Sequence, residues 1–256
     1  MSSNDLLYRV EEHVATVTIN REEKRNTISA EAVTLFHEFL DRALADDAVR
    51  AVCVTAAGDR VFCSGADLGG TMGAASGHLF EDYARLLSRL AAFPKPTVAR
   101  VNGHCLAGGT GFMLGCDIVV AKDTAAFGTP EVKVGLFPMM IGALIFRNVP
   151  RKKAMEMILL GEKLSAAQAL EMGLVTRVVP AAELDAEVGR VLACLAGNSP
   201  IGMKLGKEAF AAAEALSLEK AVSYLAGKLR EVAATEDAKE GIAAFLEKRP
   251  PQFRGC

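Results

Sequence analysis

Short runs of β-forming residues alternate with helical segments in the first half of this chain, and this alternation constrains the fold more than any other feature. Leu7–Val10 and Val14–Ile19 flank a turn at Glu11–His13 and predict a hairpin. Ala51–Ala56 is a continuous apolar run, which is typical of a strand buried on both faces. Two further strands are predicted at Thr97–Val101 and Ile118–Ala121. Because helices separate these strands, we expect crossover connections and mainly parallel pairing in an α/β fold.

The predicted helices have clear start or stop signals. Ser29 is placed to cap a helix that runs to about Asp46, and its apolar residues recur at intervals of three and four. Leu79–Phe93 has the same spacing and ends before two prolines. The nine residues Gly69–Gly77 contain four glycines and predict either a mobile lid or a long surface connection.

From Arg151 onward the chain is predicted to be almost entirely helical. Only Val175–Val179 has the composition of a strand there. The predicted helices are Arg151–Leu160, Ser165–Met172, Glu183–Leu195, Ile201–Ala215, Leu218–Thr235 and Asp237–Leu246. We therefore divide the chain into an α/β body at residues 1–198 and a helical assembly region at residues 199–256, whose apolar positions fold back on the body or pack on other subunits.

Composition narrows the class of protein. The 29 Lys and Arg residues against 31 Asp and Glu give a net charge of −2, which argues against binding nucleic acid through bulk charge. No apolar run reaches the ~18–20 residues that cross a bilayer, and the N-terminus has no apolar signal segment. Six cysteines without a C-x-x-C pair indicate a reducing compartment and no metal site, so we expect a cytoplasmic enzyme without a metal. Cys63 lies near a glycine turn and is a candidate reactive thiol, although a plain buried role is the more common one.

Two glycine-bearing turns carry the first chemical signal. Val61–Leu68 follows the strand Ala51–Ala56, and Asn102–Gly111 follows the strand Thr97–Val101. Small residues let the backbone turn sharply and expose N–H groups, and two such groups aimed at one point form an oxyanion hole. Both segments are equally compatible with ordinary tight turns between strand and helix. Neither a P-loop nor a dinucleotide-binding G-x-G-x-x-G motif is present.

An ordered set of motifs extends over nearly the whole chain. The segments are Asn20–Ile28 (NREEKRNTI), Phe62–Leu68 (FCSGADL), Lys95–Ala121 (KPTVARVNGHCLAGGTGFMLGCDIVVA), Phe127–Pro138 (FGTPEVKVGLFP), Ala169–Val175 (ALEMGLV) and Phe245–Arg249 (FLEKR). Each segment is weak alone, but the set in this order resembles the enoyl-CoA hydratase/isomerase (crotonase) superfamily. The resemblance implies a crotonase-like spiral of ββα units with a helical C-terminal trimerisation region, assembled as a homotrimer or a dimer of trimers.

The resemblance also implies an acyl-CoA thioester substrate and a set of catalytic groups. The thioester oxygen would lie between the backbone N–H groups of Ala66 and Gly108. Of the two glutamates that hydratases of the family commonly use, one is present as Glu131 in the Pro-Glu motif. The position of the other is occupied by Gly111, and no acid lies between Val101 and Cys116.

The presence of Glu131 without a second acid favours a proton shift over hydration. A single Glu131 is sufficient to move a proton from one carbon to another, as in the isomerisation of a 3-enoyl-CoA to a 2-enoyl-CoA. Hydratase is the family label that the resemblance favours. Decarboxylation, C–C cleavage, thioester hydrolysis and a non-catalytic acyl-CoA-binding subunit remain as alternatives. An apolar pocket would raise the pKa of Glu131.

The remaining site residues are inferred from the same resemblance. Coenzyme A is part of the substrate, and no separate cofactor is expected. Phe137, Pro138 and Met139 would line the acyl pocket, and His104 is expected to pack rather than react. Residues expected to bind the CoA portion are Lys24, Arg25, Ser64, Ala66, Asp67, Leu68, Phe245 and Lys248, with Phe245 and Lys248 often supplied by a neighbouring chain.

Overall fold

The computed structural model describes residues 5–67 and 78–256, which form a mixed α/β fold. The strands are β1 Leu6–Glu11, β2 Val14–Ile19, β3 Ala51–Ala56, β4 Val61–Cys63, β5 Thr97–Val101, β6 His104–Leu106, β7 Ile118–Lys122, β8 Ala126–Gly128, β9 Leu164–Ser165 and β10 Arg177–Val179. The α-helices are α1 Ala30–Ala45, α2 Leu79–Ala91, α3 Gly109–Leu114, α4 Met139–Asn148, α5 Arg151–Leu160, α6 Ala166–Met172, α7 Leu184–Gly197, α8 Pro200–Ala213, α9 Leu218–Ala233 and α10 Glu236–Glu247. Short 3-10 helices span Glu22–Lys24, Pro130–Val134 and Ala181–Glu183.

The larger sheet has six strands in the order β1-β2-β3-β5-β7-β10. β1 and β2 form the predicted antiparallel hairpin, and every other pair in this sheet is parallel. All six residues of β3 are buried, as its unbroken apolar run predicted. The expected parallel architecture with crossover helices is therefore confirmed.

A second sheet of four very short strands follows the order β4-β6-β8-β9. Its first three strands are parallel, and β9 closes the edge in antiparallel register. The sequence did not reveal this sheet, because strands of two or three residues are too short to show periodicity. The prediction of one strand after Arg151 was wrong for this reason, and the strand predicted at Val175–Val179 begins only at Arg177.

Helix boundaries agree closely with the sequence signals. The Ser29 hydroxyl accepts a hydrogen bond from the Ala32 N–H at 3.0 Å, which caps α1 at its predicted start. Ser165 and Gln168 form a capping box at the start of α6. None of the helices described in residues 5–67 and 78–256 is long and apolar enough to cross a membrane.

Polar contacts connect Arg50 and Asp117 of the α/β body to α7, α8 and the segment after α10. The Arg50 guanidinium donates to the carbonyls of Ala196 and Phe253, both at 3.0 Å. The Lys207 ammonium binds the Asp117 carboxylate, which also accepts from the Thr97 N–H at 2.7 Å. Asp117 therefore has a structural role. The division of the chain into a body at residues 1–198 and an assembly region at residues 199–256 stays a prediction.

Candidate active site

The two glycine turns lie against each other, and only glycine permits this approach. Gly65 has a φ of +94°, and a Cβ atom there would lie 2.7 Å from the Cβ of Ala107 and 3.1 Å from the Gly108 nitrogen. A Cβ atom at Gly109 would lie 2.5 Å from the Cys63 carbonyl oxygen. A side chain at either position would push the turns apart. The structure thus places the segments after β4 and β6 side by side.

This packing brings together the two backbone N–H groups that the sequence analysis paired. A Cβ atom on Gly108 would lie 3.7 Å from the Ala66 nitrogen. The backbone around Ala66 pairs with Ile28: the Ile28 N–H donates to Gly65 O at 2.8 Å, and the Asp67 N–H donates to Ile28 O at 3.0 Å. Within the part of the chain that the structure describes, neither Ala66 N–H nor Gly108 N–H donates to a protein acceptor. Both donors are therefore free to bind a ligand oxygen.

The two turns open onto a cleft of about 650 Å³ with a largely apolar wall. Ala66, Gly108 and Glu131 all line this cleft. Its apolar wall consists mainly of Ile28, Leu79, Phe80, Val134, Leu136, Phe137, Pro138, Met139, Met140 and Ile141. The structure thus brings the predicted acyl-pocket residues to the same cavity as the glycine turns. Such a wall suits an apolar acyl chain better than a charged one.

Glu131 is held in the cleft by the 3-10 helix Pro130–Val134. Pro130 starts the helix, and Gly135 ends it in the left-handed conformation with a φ of +77°. The Glu131 Oε2 atom is buried and has no hydrogen-bond partner in the structure. Burial raises the pKa of the Glu131 carboxyl above its ordinary value, and only a hydrogen bond from its own backbone opposes this effect. This environment suits a group that must exchange a proton with an apolar substrate.

Glu131 is the only carboxylate that lines the cleft among the described residues. The remaining residues, 1–4 and 68–77, contain no Asp or Glu in the sequence. Gly111 lies in α3, and a Cβ atom there would meet Tyr83, Leu87 and Ile141 at 2.5, 2.9 and 2.8 Å. The space next to Gly111 is therefore already filled, rather than left open by a lost side chain.

Tyr83 is a polar cleft residue that the motifs did not indicate. Its ring is 5% exposed, and its hydroxyl donates a hydrogen bond to the Gly108 carbonyl oxygen. Burial raises the pKa of the Tyr83 hydroxyl well above its usual value, and the nearby Glu131 carboxylate adds to the shift. One signal was available: Tyr83 lies on the same helical face as Leu79, Leu86 and Leu90, and a buried tyrosine hydroxyl requires a partner.

The residues predicted to bind CoA are distributed unevenly around the cleft. Ser64 lines it, and the Ser64 hydroxyl donates to the Arg25 carbonyl at 3.0 Å, which ties the N-terminal loop to the first glycine turn. Lys24 and Arg25 are exposed on that loop. The Asp67 carboxylate faces Arg21 at 3.0 Å. Leu68 and the segment Gly69–Gly77 lie outside the described residues.

Phe245 and Lys248 are not brought to the cleft within one chain. Phe245 is 82% exposed at the end of α10, and Lys248 follows it in the left-handed conformation. Neither residue is among those that line the cavity in the described ranges. Their predicted contact with CoA requires a second chain and stays a prediction.

Other candidate groups have structural partners or are buried. His104 lies in β6, and its Nδ1 atom accepts from the Ala126 N–H at 3.0 Å. Burial raises the pKa of the Cys63 thiol to about 12, which opposes the formation of a reactive thiolate. Across residues 5–67 and 78–256, no group of three or more His, Cys, Asp or Glu side chains could hold a metal ion.

Comparison with known sequences gives a consistent result. The model of the family described as enoyl-CoA hydratase/isomerase matches residues 9–256. The (E)-benzylidenesuccinyl-CoA hydratase of Thauera aromatica is 36% identical and covers 96% of this chain and 98% of its own. The 2,3-dehydroadipyl-CoA hydratase of Escherichia coli K12 is 34% identical and covers 98% of this chain and 99% of its own.

Comparison with solved structures extends the similarity to the fold. An enoyl-CoA hydratase from Bacillus anthracis superimposes with a TM-score of 0.94 at 30% sequence identity, covering 98% of this chain and 100% of that chain. Human enoyl-CoA hydratase domain-containing protein 3 superimposes with a TM-score of 0.93 at 32% identity, covering 97% of this chain and 100% of its own.

Proposed function

Because this chain belongs to the enoyl-CoA hydratase/isomerase family and is an enzyme that acts on acyl-CoA, we propose that Ala66 and Gly108 form its oxyanion hole. We propose further that Glu131 is its single acid/base group. The two free N–H groups and the buried carboxylate line one cleft, which supports this assignment.

The reaction that this arrangement favours best is the isomerisation of a 3-enoyl-CoA to a 2-enoyl-CoA. The ionised Glu131 carboxylate removes a proton from C2, and the C2–H electron pair moves toward the thioester oxygen to form an enolate. The N–H groups of Ala66 and Gly108 stabilise the negative charge on that oxygen. The Glu131 carboxyl then returns the proton to C4, and the new double bond lies between C2 and C3, conjugated with the thioester.

One observation carries this choice: among the described residues Glu131 is the single carboxylate that lines the cleft, and other side chains fill the space beside Gly111. A proton shift between two carbons needs one group that can both take and give a proton. Hydration also requires a water molecule held against C3. Tyr83, Leu87 and Ile141 occupy the space that the Cβ atom of an acid at position 111 would need.

Hydration of a 2-enoyl-CoA is the second candidate, and the comparisons favour it. The Thauera aromatica and Escherichia coli relatives are both named as hydratases. The substrates in these two names differ from each other, so they do not select an acyl group for this chain. The apolar wall of the cleft supports an acyl group without a charge in the part that it contacts.

The absorbance of the conjugated 2-enoyl thioester distinguishes the two reactions, because it changes in opposite directions. Isomerisation of a 3-enoyl-CoA creates a conjugated thioester, so the absorbance of the 2-enoyl product rises. Hydration of a 2-enoyl-CoA removes that conjugation, so the same absorbance falls. We expect the rise to be faster than the fall at equal enzyme and substrate concentrations.

Glu131→Gln is expected to abolish the rise, because the amide cannot accept the C2 proton. Glu38→Gln is the matched control, since Glu38 is an exposed acid on α1 and away from the cleft. Rapid hydration of crotonyl-CoA together with no isomerisation would contradict the preferred reaction. Tight binding of CoA esters without turnover of any enoyl-CoA would instead support a binding subunit.

The assembly and the CoA contacts belong to the same proposal. We propose a homotrimer or a dimer of trimers in which residues 199–256 form subunit contacts and bring Phe245 and Lys248 to a neighbour's CoA. Exposed apolar side chains on the last helices support this assembly, namely Phe210, Leu218, Val222, Leu229, Ile242 and Phe245. Lys24 and Arg25 would bind the nucleotide phosphates as cations. Light scattering of the purified chain tests the oligomeric state, and a monomer would contradict it.

A further inference from the structure

The Tyr83 side chain connects α2 to the second glycine turn. Its ring contacts Phe112 edge to face, with centroids 5.6 Å apart and planes at 87°. Phe112 in turn stacks on Phe36 at 5.2 Å. The ring is therefore held between two helices, and its hydroxyl reaches the carbonyl oxygen of Gly108. Because the ring is fixed, its hydroxyl can hold a backbone segment of another element in one geometry.

The Gly108 carbonyl receives two hydrogen bonds. One comes from the Gly111 N–H at 3.0 Å, which closes the first turn of α3, and the other comes from Tyr83. Gly108 itself has φ −50° and ψ −27°, and the preceding residue Ala107 is in the left-handed region with a φ of +51°. Such a strained turn needs support from outside to keep one orientation.

We propose that Tyr83 is a positioning residue of the oxyanion hole: by holding the Gly108 carbonyl it fixes the backbone φ and ψ of Gly108, and these angles set the direction of the Gly108 N–H, which belongs to the preceding peptide group. This inference rests on the proposed role of Gly108 as an oxyanion donor. A tyrosine hydroxyl has a single proton, and Tyr83 donates that proton to Gly108. Tyr83 therefore acts through the backbone rather than as an acid toward the substrate.

The absence of a side chain at position 111 is a requirement of this arrangement. A Cβ atom on residue 111 would lie 2.5 Å from the Tyr83 hydroxyl oxygen, which is closer than real Cβ contacts allow. Only glycine at position 111 therefore lets the hydroxyl reach Gly108. Tyr83 and Gly111 therefore depend on each other, because the Tyr83 hydroxyl lies in the space that a side chain at position 111 would occupy.

The test measures polarisation of the thioester carbonyl directly. We would bind an acyl-CoA labelled with ¹³C at the thioester carbonyl and record the carbonyl stretch by infrared difference spectroscopy. The wild-type enzyme is expected to lower the stretching frequency relative to free ligand, because two N–H donors pull charge onto the oxygen. Tyr83→Phe keeps the ring and its contact with Phe112, and we expect a smaller lowering in this variant.

Kinetics supply the second readout. In Tyr83→Phe, kcat for isomerisation is expected to fall about 3- to 10-fold, as for the loss of one hydrogen bond, while KM changes less than about 2-fold. Tyr8→Phe is the matched control, because Tyr8 lies in β1 against Phe39 and Arg42 and does not line the cleft. It is expected to leave kcat and the carbonyl frequency unchanged.

The outcomes separate this inference from the proposed function. A wild-type enzyme that does not lower the carbonyl frequency would overturn the oxyanion hole itself. A lowered frequency that Tyr83→Phe leaves unchanged, with unchanged kcat, would overturn the role of Tyr83 alone. If Tyr83→Phe folds poorly, Gly111→Ala serves as the second variant, because its Cβ atom would displace the Tyr83 hydroxyl, and it must show the same weakened polarisation of bound ligand.

Discussion

The hydroxyl oxygen of Tyr83 lies 2.5 Å from the point where a Cβ atom on Gly111 would stand. The two residues are 28 positions apart in the sequence and belong to different helices, α2 and α3. The position that the family resemblance matches to a second acid is Gly111 here, and the space beside it holds the packed Tyr83 side chain. This contact changes what substitutions at the site are expected to do.

Gly111→Glu is expected to destabilise the protein and not to create an efficient hydratase. Its side chain would overlap Tyr83, Leu87 and Ile141, and overpacking of a core costs about 1–3 kcal/mol even before the carboxylate is buried. Urea denaturation measures the free energy of unfolding. Gly189→Glu is the control, because position 189 is exposed and has nothing within 4 Å of a Cβ atom. Unchanged stability with faster crotonyl-CoA hydration would refute this prediction.

Glu131→Gln is expected to lose turnover by at least about 100-fold and to be no less stable than the wild type at neutral pH. Burial raises the pKa of Glu131, so the folded state favours the protonated form. The stabilisation from this group is therefore complete below its unfolded pKa and is lost as the pH rises through its folded pKa. Denaturation of both proteins across pH measures the difference. A wild type that gains stability relative to the variant as pH rises would contradict the sign.

The pH dependence of isomerisation follows from the same group. The reaction begins with an ionised Glu131, so kcat/KM should rise with pH through the pKa of that carboxyl. Because burial raises this pKa, we expect the acid limb above the ordinary glutamate value of 4.5. A pH–rate profile with a 3-enoyl-CoA provides the measurement. An acid limb at or below that value would show that another group limits the rate.

Met139→Ala is expected to weaken the binding of long acyl chains selectively. Met139 lines the cleft and is 74% exposed without ligand, so an acyl chain can cover it. Each buried methylene contributes about 0.8 kcal/mol, and we expect KM to rise about 3- to 10-fold for long chains and little for short ones. Leu159→Ala, an exposed position on α5 outside the cleft, is the control. Equal effects on all chain lengths would remove Met139 from the acyl pocket.

Arg21→Lys is expected to lower the free energy of unfolding by about 1–3 kcal/mol. The buried Arg21 guanidinium binds the carboxylates of Asp5 and Asp67 at 3.0 Å and the Thr27 carbonyl at 2.6 Å, which an ammonium cannot reproduce. Arg9→Lys is the exposed control. Because Arg21 fixes the loop that carries Lys24, KM for CoA esters should also rise. A variant with wild-type stability and KM would show that the loop keeps its structure without the Arg21 guanidinium.

Much of the fold was predictable because its signals are local. The hairpin, the apolar run of β3 and the caps at Ser29 and Ser165 depend on residues within a few positions of each other. The second sheet was not predictable, since strands as short as Leu164–Ser165 carry no periodic pattern. Glu131 and the two glycine turns were found through motifs, and their roles in the reaction stay predictions.

The sequence by itself determined the family, the two glycine turns and the presence of one glutamate in the Pro-Glu motif, because each of these features depends on short contiguous segments. Only the tertiary structure decided what occupies the position of the second acid. The sequence shows only that residue 111 has no side chain. Packing against α2 and α4 determines which atoms occupy the space beside it. Side chains from distant segments, Tyr83 and Leu87 and Ile141, fill that volume, and no local pattern specifies which ones meet there.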